Sequence, residues 1–200
     1  MARNIQPLGI VVAPFLLAAC SGTTVVVELT DAPPDTATIE HVYVSLDRVE
    51  LHVAGDDGDD DAEDGDAEDG NADPDESTSG WRTVAAPAGT FDLVALRNDV
   101  RATLGELELG SGKITQIRLF IEAEGQNEVV LVSGERCALD LRRVPTTGVK
   151  INHPFKALDV EDSDTLRLVV DFDLVESLDQ TGPCAFTLKP VIKLKHVEKS

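Results

Sequence analysis

From Thr23 onward the apolar residues recur at nearly every second position, and this alternation constrains the fold more than any other feature of the chain. Successive side chains of a strand point to opposite faces, so a period of two gives each strand one face for a core and one for water. Thr23, Val25, Val27 and Leu29 alternate with Thr24, Val26, Glu28 and Thr30, and Asp31-Ala32-Pro33-Pro34-Asp35 stops that strand. A longer strand starts at Ile39 with Val42, Val44 and Leu46 on one side. The apolar set then resumes at Val49, Leu51 and Val53, the other parity, which predicts a one-residue bulge near Asp47-Arg48.

The pattern restarts at Trp81 to Val84 and continues through Phe91 to Val94. Leu96, Val100 and Leu104 fit a helix face by their spacing of four and a strand by parity, and the sequence does not choose. After a turn at Gly110-Ser111-Gly112, Ile117, Leu119, Ile121 and Ala123 face inward, with Gln116, Arg118, Glu122 and Glu124 outward. Val129 to Val132 reads as a buried strand, and Cys137, Leu139 and Leu141 share a face of the next. Val149, Ile151, His153 and Phe155 form another face, then Leu166, Leu168, Val170, Phe172 and Leu174. The last strand runs from Cys184 through Phe186, Leu188, Pro190, Ile192 and Leu194; because proline cannot donate to a ladder, it is an edge strand or bulges at Pro190. About eight short strands separated by Gly and Pro turns, with no sustained helical period, predict an all-β chain folded as an antiparallel β-sandwich, immunoglobulin-like or transthyretin-like.

Ahead of the sandwich, residues 1–19 read as a secretory signal peptide. Met1-Ala2-Arg3-Asn4 carries one positive charge, and the apolar run that follows is too short to span a membrane as a stable helix. Leu17-Ala18-Ala19-Cys20 is similar to the bacterial lipobox, which implies lipidation of Cys20, cleavage before it and a mature chain of residues 20–200 anchored to a membrane through palmitate-type acyl chains. An ordinary cleaved signal with an incidental cysteine is the alternative. Ser21 in place of an aspartate implies the outer membrane in a host with two membranes, and otherwise a lipid-anchored place in the cell envelope.

With Cys20 acylated, Cys137 and Cys184 remain as an even pair in an exported chain, and a disulfide between them is expected. Two buried free thiols are the alternative. Closing a loop of that length would stabilise the fold by about 4 kcal/mol in the chain-entropy model.

The formal net charge of -20 is concentrated in one place. Residues 55–80 hold ten Asp and three Glu and no base, which leaves 24 acids against 17 bases elsewhere. A run so poor in apolar residues cannot offset its ordering entropy, and it reads as a disordered acidic loop inside a single domain. No clustered basic surface offers a site for nucleic acid. Aromatic residues, at 4%, are too few for a broad stacking platform for single strands or sugars.

Candidate chemistry is sparse. There is no GxSxG, no HExxH and no other ligand spacing among His41, His52, His153 and His196. Asp171 and Asp173 flank Phe172, on what parity makes a solvated strand face, about 7 Å apart along the strand repeat; a hydrolase of envelope polysaccharide could use such a pair, and a solvated strand face is the reading preferred. Asp69, Asn71, Asp73 and Asp75 alternate oxygen ligands as calcium loops do, and Asp57, Asp59 and Asp61 repeat the spacing; Pro74 and Gly80 stand where an EF-hand needs Gly and Glu. These four are weak candidates for a metal site, with loose, exchangeable Ca2+ binding the general expectation. Lys189, Lys193 and Lys195 make a basic stripe, read first as protection of an edge strand and second as a contact for an anionic partner.

Leu29-Thr30-Asp31-Ala32-Pro33-Pro34-Asp35, Val42-Tyr43-Val44-Ser45, Gly80-Trp81, Phe91 to Asn98, Thr115-Gln116-Ile117-Arg118-Leu119 and Leu188-Lys189-Pro190-Val191-Ile192 resemble, in order, the blocks of a prokaryotic lipoprotein family known as domain-of-unknown-function family 4382. The resemblance implies an exported β-sandwich and brings no established activity or catalytic residue. The expected function is a lipid-anchored, non-enzymatic binding or structural module at the cell envelope, with a carbohydrate or protein ligand and no cofactor. A polysaccharide hydrolase and a calcium-binding surface protein are the alternatives.

Overall fold

Residues 22–31, 38–54, 80–84, 89–110, 112–151, 156–160 and 165–200 are described by a computed structural model. Within them the period of two becomes strand: β1 (Thr23–Thr30), β2 (Ile39–Ala54), β3 (Gly80–Val84), β4 (Gly89–Asp92), β5 (Ala102–Leu109), β6 (Gly112–Ile121), β7 (Glu128–Leu131), β8 (Arg136–Asp140), β9 (Val149–Lys150), β10 (Leu158–Val160), β11 (Thr165–Phe172), β12 (Leu178–Gly182), β13 (Ala185–Leu188) and β14 (Ile192–Lys199). A 3-10 turn covers Leu93–Leu96 and a one-turn helix, α1, covers Leu174–Ser177.

The larger sheet is organised on β2, whose 16 residues take two partners along each side. Leu46 stands between Gly89 of β4 and Ile121 of β6, and Val49 between Val84 of β3 and Leu119 of β6. β3 and β4 thus line one side while β6 and β7 line the other. The register of β2 against β6 shifts between Leu46 and Arg48, the bulge that the change of parity predicts. Because of it, Val42, Val44, Leu46, Val49 and Leu51 all reach the core, and His41, Tyr43, Ser45, Arg48, Glu50 and His52 take the opposite face.

Between β6 and β7 the chain wraps around Ser45. Glu122 N–H donates to Ser45 O (2.9 Å), Ser45 N–H to Asn127 Oδ1 (3.1 Å) and Ser45 Oγ–H to Gln126 O (3.1 Å). A Cβ at Gly125 would lie 2.3 Å from Ser45 Cβ, so this wrap admits only glycine. Ala123 sits in the wrap and is exposed, since β6 has ended two residues earlier.

The smaller sheet has the order β14-β11-β1-β5. Val25, Val27 and Leu29 of β1 and Leu166, Leu168, Val170 and Phe172 of β11 join the inward residues of β2, β6 and β7 in one buried cluster. The two sheets make the expected β-sandwich, and truncating one of these leucines to alanine should cost about 2–5 kcal/mol. The expectation of about eight antiparallel strands is corrected: the described residues form fourteen strands, and two ladders run parallel, β1 with β11 and β13 with β8, so both sheets are mixed. Parallel pairing needs a long connection, and between β1 and β11 the chain builds most of the larger sheet.

Other strand readings change: Leu174, read on the face of Leu166 to Phe172, lies in α1 instead. Leu96 ends the 3-10 turn, Val100 is 51% exposed in the connection, and Leu104 is buried in β5, so the three lie on no common helix or strand. Val132 is 63% exposed just past β7. The strand read from Cys184 to Leu194 is two strands in different sheets, β13 and β14, with Pro190 at the crossing. A proline has no N–H to leave unpaired there, and its neighbours are held by α1: Lys189 N–H donates to Ser177 O and Val191 N–H to Ser177 Oγ, both 2.8 Å. Val149–Lys150 forms only a two-residue strand; His153 and Phe155 lie outside the described residues.

Candidate functional site

The outward face of the larger sheet concentrates the polar and aromatic groups of the sandwich. At its centre the Glu50 side chain is 10% exposed and stands between two guanidinium groups. Arg48 donates from Nε to Oε1 (2.7 Å) and Arg118 from Nε to Oε2 (2.7 Å), with Arg118 Nη2 also on Oε2 at 2.5 Å. Arg48 Nη1 reaches the Asp47 carboxylate on the bulge. Each guanidinium also stacks on a ring, Arg118 3.6 Å over Trp81 and Arg48 3.6 Å over Phe120. His52 meets Trp81 edge-on at 5.1 Å and is held through Nδ1 by the Thr115 hydroxyl at 2.6 Å.

Local sequence explains this arrangement. Once the bulge has turned Arg48, Glu50 and His52 outward, the antiparallel register sets Glu50 opposite Arg118 and Thr83, and His52 opposite Gln116 and Trp81. At the tip of the Phe120 ring lies Gly148 at φ +86°, where a Cβ would stand 2.9 Å from Cζ, so the chain entering β9 can approach the aromatic this closely only with glycine there. Burial pushes the Glu50 carboxyl up, but the hydrogen bonds and charges of Arg48 and Arg118 outweigh it and hold the group below the usual glutamate range. Arg48 is correspondingly raised, mainly by its bond to Glu50. Further along β2, His41 Nδ1 lies 2.7 Å from Asp92 Oδ2, Asp92 Oδ1 accepts the Val42 N–H, and the His41 ring stacks on Tyr43 at 5.5 Å.

The residues singled out in the sequence fall elsewhere. Cys20 and the calcium candidates Asp69, Asn71, Asp73 and Asp75 lie outside the described residues, as do Asp57, Asp59, Asp61 and Ser111. Cys137 and Cys184 form a disulfide with Cα atoms 5.2 Å apart, joining β8 to the turn before β13. Glu135 is near both sulfurs, but sulfurs bonded to each other offer no thiolate to a metal.

Asp171 and Asp173 do not form the solvated pair expected of them. Asp171 is 9% exposed, in the ladder between Thr30 and Lys193. Asp173 has left the strand: it caps α1 by accepting the Glu176 N–H (3.1 Å) and pairs with Lys193 Nζ at 2.6 Å. Burial raises the Asp173 carboxyl, and the bonds from Lys193 and Glu176 N–H more than reverse this, so it titrates below the usual aspartate range. The outward parity of β11 is not a solvated face: Val169, which shares it with Asp171, is buried as well.

Lys193 and Lys195 do lie on the outer strand β14, yet they are tied down, Lys193 to Asp173 and Glu176 and Lys195 to Asp99 at 3.2 Å. Lys189 is exposed ahead of that strand. His196 is exposed on β14. The Arg48–Glu50–Arg118 cluster carried a sequence signal that parity alone did not raise to a site: Phe120, an aromatic residue at the outward position next to Arg118.

Among the described residues no helix is long and apolar enough to cross a membrane. No curated protein and no solved structure matches the chain. A family model described as Domain of unknown function (DUF4382) matches residues 22–190, which spans both sheets. The chain therefore belongs to that family, DUF4382.

Proposed function

We propose that this protein is held at the cell envelope by lipid on Cys20 and works there as a non-enzymatic binding or structural module. The outward face of the larger sheet carries this reading: Trp81, Phe120 and His52 are half-buried there, locked by two guanidinium groups and a nearly buried carboxylate. Rigid, pre-ordered side chains on a sheet bind with little loss of rotamer entropy, which suits a recognition surface. The lipobox supports export and anchoring, and in a host with two membranes Ser21 favours the outer one. Asp171 and Asp173 lend the hydrolase alternative no support, because one is buried and the other caps α1 and pairs with Lys193.

A glycan array run beside a hydrolysis assay on the same oligosaccharides tests the function. Binding without turnover is expected. Turnover that Asp171→Asn abolishes would replace the module with an enzyme.

A further inference from the structure

We propose that the Trp81–Arg118 corner of the larger sheet binds a sugar unit of a neutral glycan. The inference rests on the binding-module reading and names its ligand.

Trp81 is the chain's single tryptophan, and it stands on the outward face, next to the end of β3. It is half-buried, with the Arg118 guanidinium over the ring and His52 in a T-shaped contact with it. The ring is large and has few rotamers, so it offers apolar area at small entropic cost to the C–H face of a pyranose.

Hydrogen-bond donors lie beside it. A guanidinium carries five N–H groups. Among the described residues Arg118 spends only Nε and Nη2, both on Glu50, and leaves Nη1 without a protein acceptor. Arg48 spends Nε on Glu50 and Nη1 on Asp47 and leaves Nη2. Stacking on Trp81 and Phe120 fixes both groups, so these donors are oriented before any ligand arrives. Gln116, opposite His52, adds an amide with donor and acceptor to the same face. An apolar ring flanked by a few fixed polar groups is the composition of a small polyhydroxylated ligand's site.

Charge and area select among ligands. Glu50 and Asp47 balance Arg48 and Arg118, so the two guanidinium groups offer N–H donors whose charge is already paired, on a chain of net charge -20 that repels anionic polymers. Lys150, opposite Arg118 on β9, is exposed and is the group an acidic sugar would recruit. A protein partner needs a broad apolar patch, whereas the strongly exposed apolar residues Val100, Val132, Val175 and Val197 sit singly on other elements.

Because there is one tryptophan, its emission reports on this corner alone. The full protein, purified in detergent, is titrated with a panel of neutral oligosaccharides (glucan, mannan, galactan, xylan and chitin) and with an oligouronate. The expected result is a saturable change of emission with a neutral member and weaker binding of the oligouronate. Arg118→Lys should weaken the neutral ligand about tenfold, since an ammonium cannot present the fork. Trp81→Ala leaves the ion pairs in place, and calorimetry should show its binding lost while thermal unfolding stays close to that of the parent. No emission change with any neutral oligosaccharide, tighter binding of the oligouronate, or calorimetric binding that survives Trp81→Ala overturns the assignment. Array binding that persists in Trp81→Ala with parent emission unmoved would leave the module standing and remove only this site.

Discussion

Arg118 donates to Glu50 from Nε at 2.7 Å across the β2–β6 ladder, so a nearly buried carboxylate ties the two central strands of the larger sheet on their outward face. Removing that charge leaves Arg48 and Arg118 facing each other with only Asp47 to offset them. Glu50→Gln should destabilise the fold by about 2 kcal/mol, the usual loss of hydrogen bonds to a charged group. Since folding lowers the Glu50 pKa, its contribution is fully present above the ordinary glutamate value of 4.5 and is lost as pH falls below it toward the folded value. Denaturant unfolding of parent and variant at neutral pH and in mild acid checks both signs: the gap should be wide at neutral pH and narrow in acid.

Gly148 and Gly134 adopt nearly the same left-handed backbone, φ +86° and +85°, in different surroundings. A Cβ on Gly134 meets nothing within 4 Å, whereas on Gly148 it meets the Phe120 ring at 2.9 Å, and Arg48 holds that ring from above. Gly134→Ala should cost only the conformational penalty, about 1–2 kcal/mol. Gly148→Ala should cost clearly more and should also loosen the Arg48–Phe120 stack. Equal midpoints for the two variants in denaturant would show that Phe120 is free to move aside.

The β12–β13 hairpin joins the rest of its sheet through β8 alone, by two parallel register pairs, Phe186 with Leu139 and Thr187 with Asp140, and by the disulfide. Reducing Cys137–Cys184 should lower stability by about 4 kcal/mol in the chain-entropy model. Hydrogen exchange should speed first in β12 and β13. Unchanged protection there after reduction would mean that Phe186 and Leu188, buried in the core, hold the hairpin unaided.

What the sequence made legible follows from what parity can carry. The bulge at Asp47-Arg48, the inward sets of β1, β2, β6 and β11 and the cysteine pair were all readable, because each depends on local alternation or on composition. The crossing at Pro190 and the fate of Asp171 and Asp173 depend on which sheet a strand joins and on what folds over it, and no local pattern encodes that. The same holds for the site. Arg118 was legible as outward, but its meeting with Glu50 and Trp81 requires the register of three strands.

Replacing residues 56–79 by a short Gly-Ser turn should leave the sandwich intact. Val53 pairs with Gly80 at the base of this connection, so β2 and β3 meet without help from the acidic run. Loop closure contributes only about 0.6 kcal/mol for each halving of length, so thermal unfolding should be unchanged or slightly raised. The response to salt and divalent cations should fall, because ten Asp and three Glu leave with the segment. If the parent gains several degrees from micromolar calcium and the deletion removes that gain, Asp69, Asn71, Asp73 and Asp75 form an ordered site.

Where the protein works decides which ligands it meets, and Cys20 is the residue on which that rests. Acyl chains beyond one give stable anchoring where a single chain gives only marginal binding. The most direct measurement is metabolic labelling of expressing cells with an alkyne analogue of palmitate, followed by membrane fractionation. The account predicts label on the parent protein and its recovery with membranes, and for Cys20→Ala no label and release from the membrane fraction. A Cys20→Ala protein that still takes up label, or a parent protein that takes up none, would contradict it.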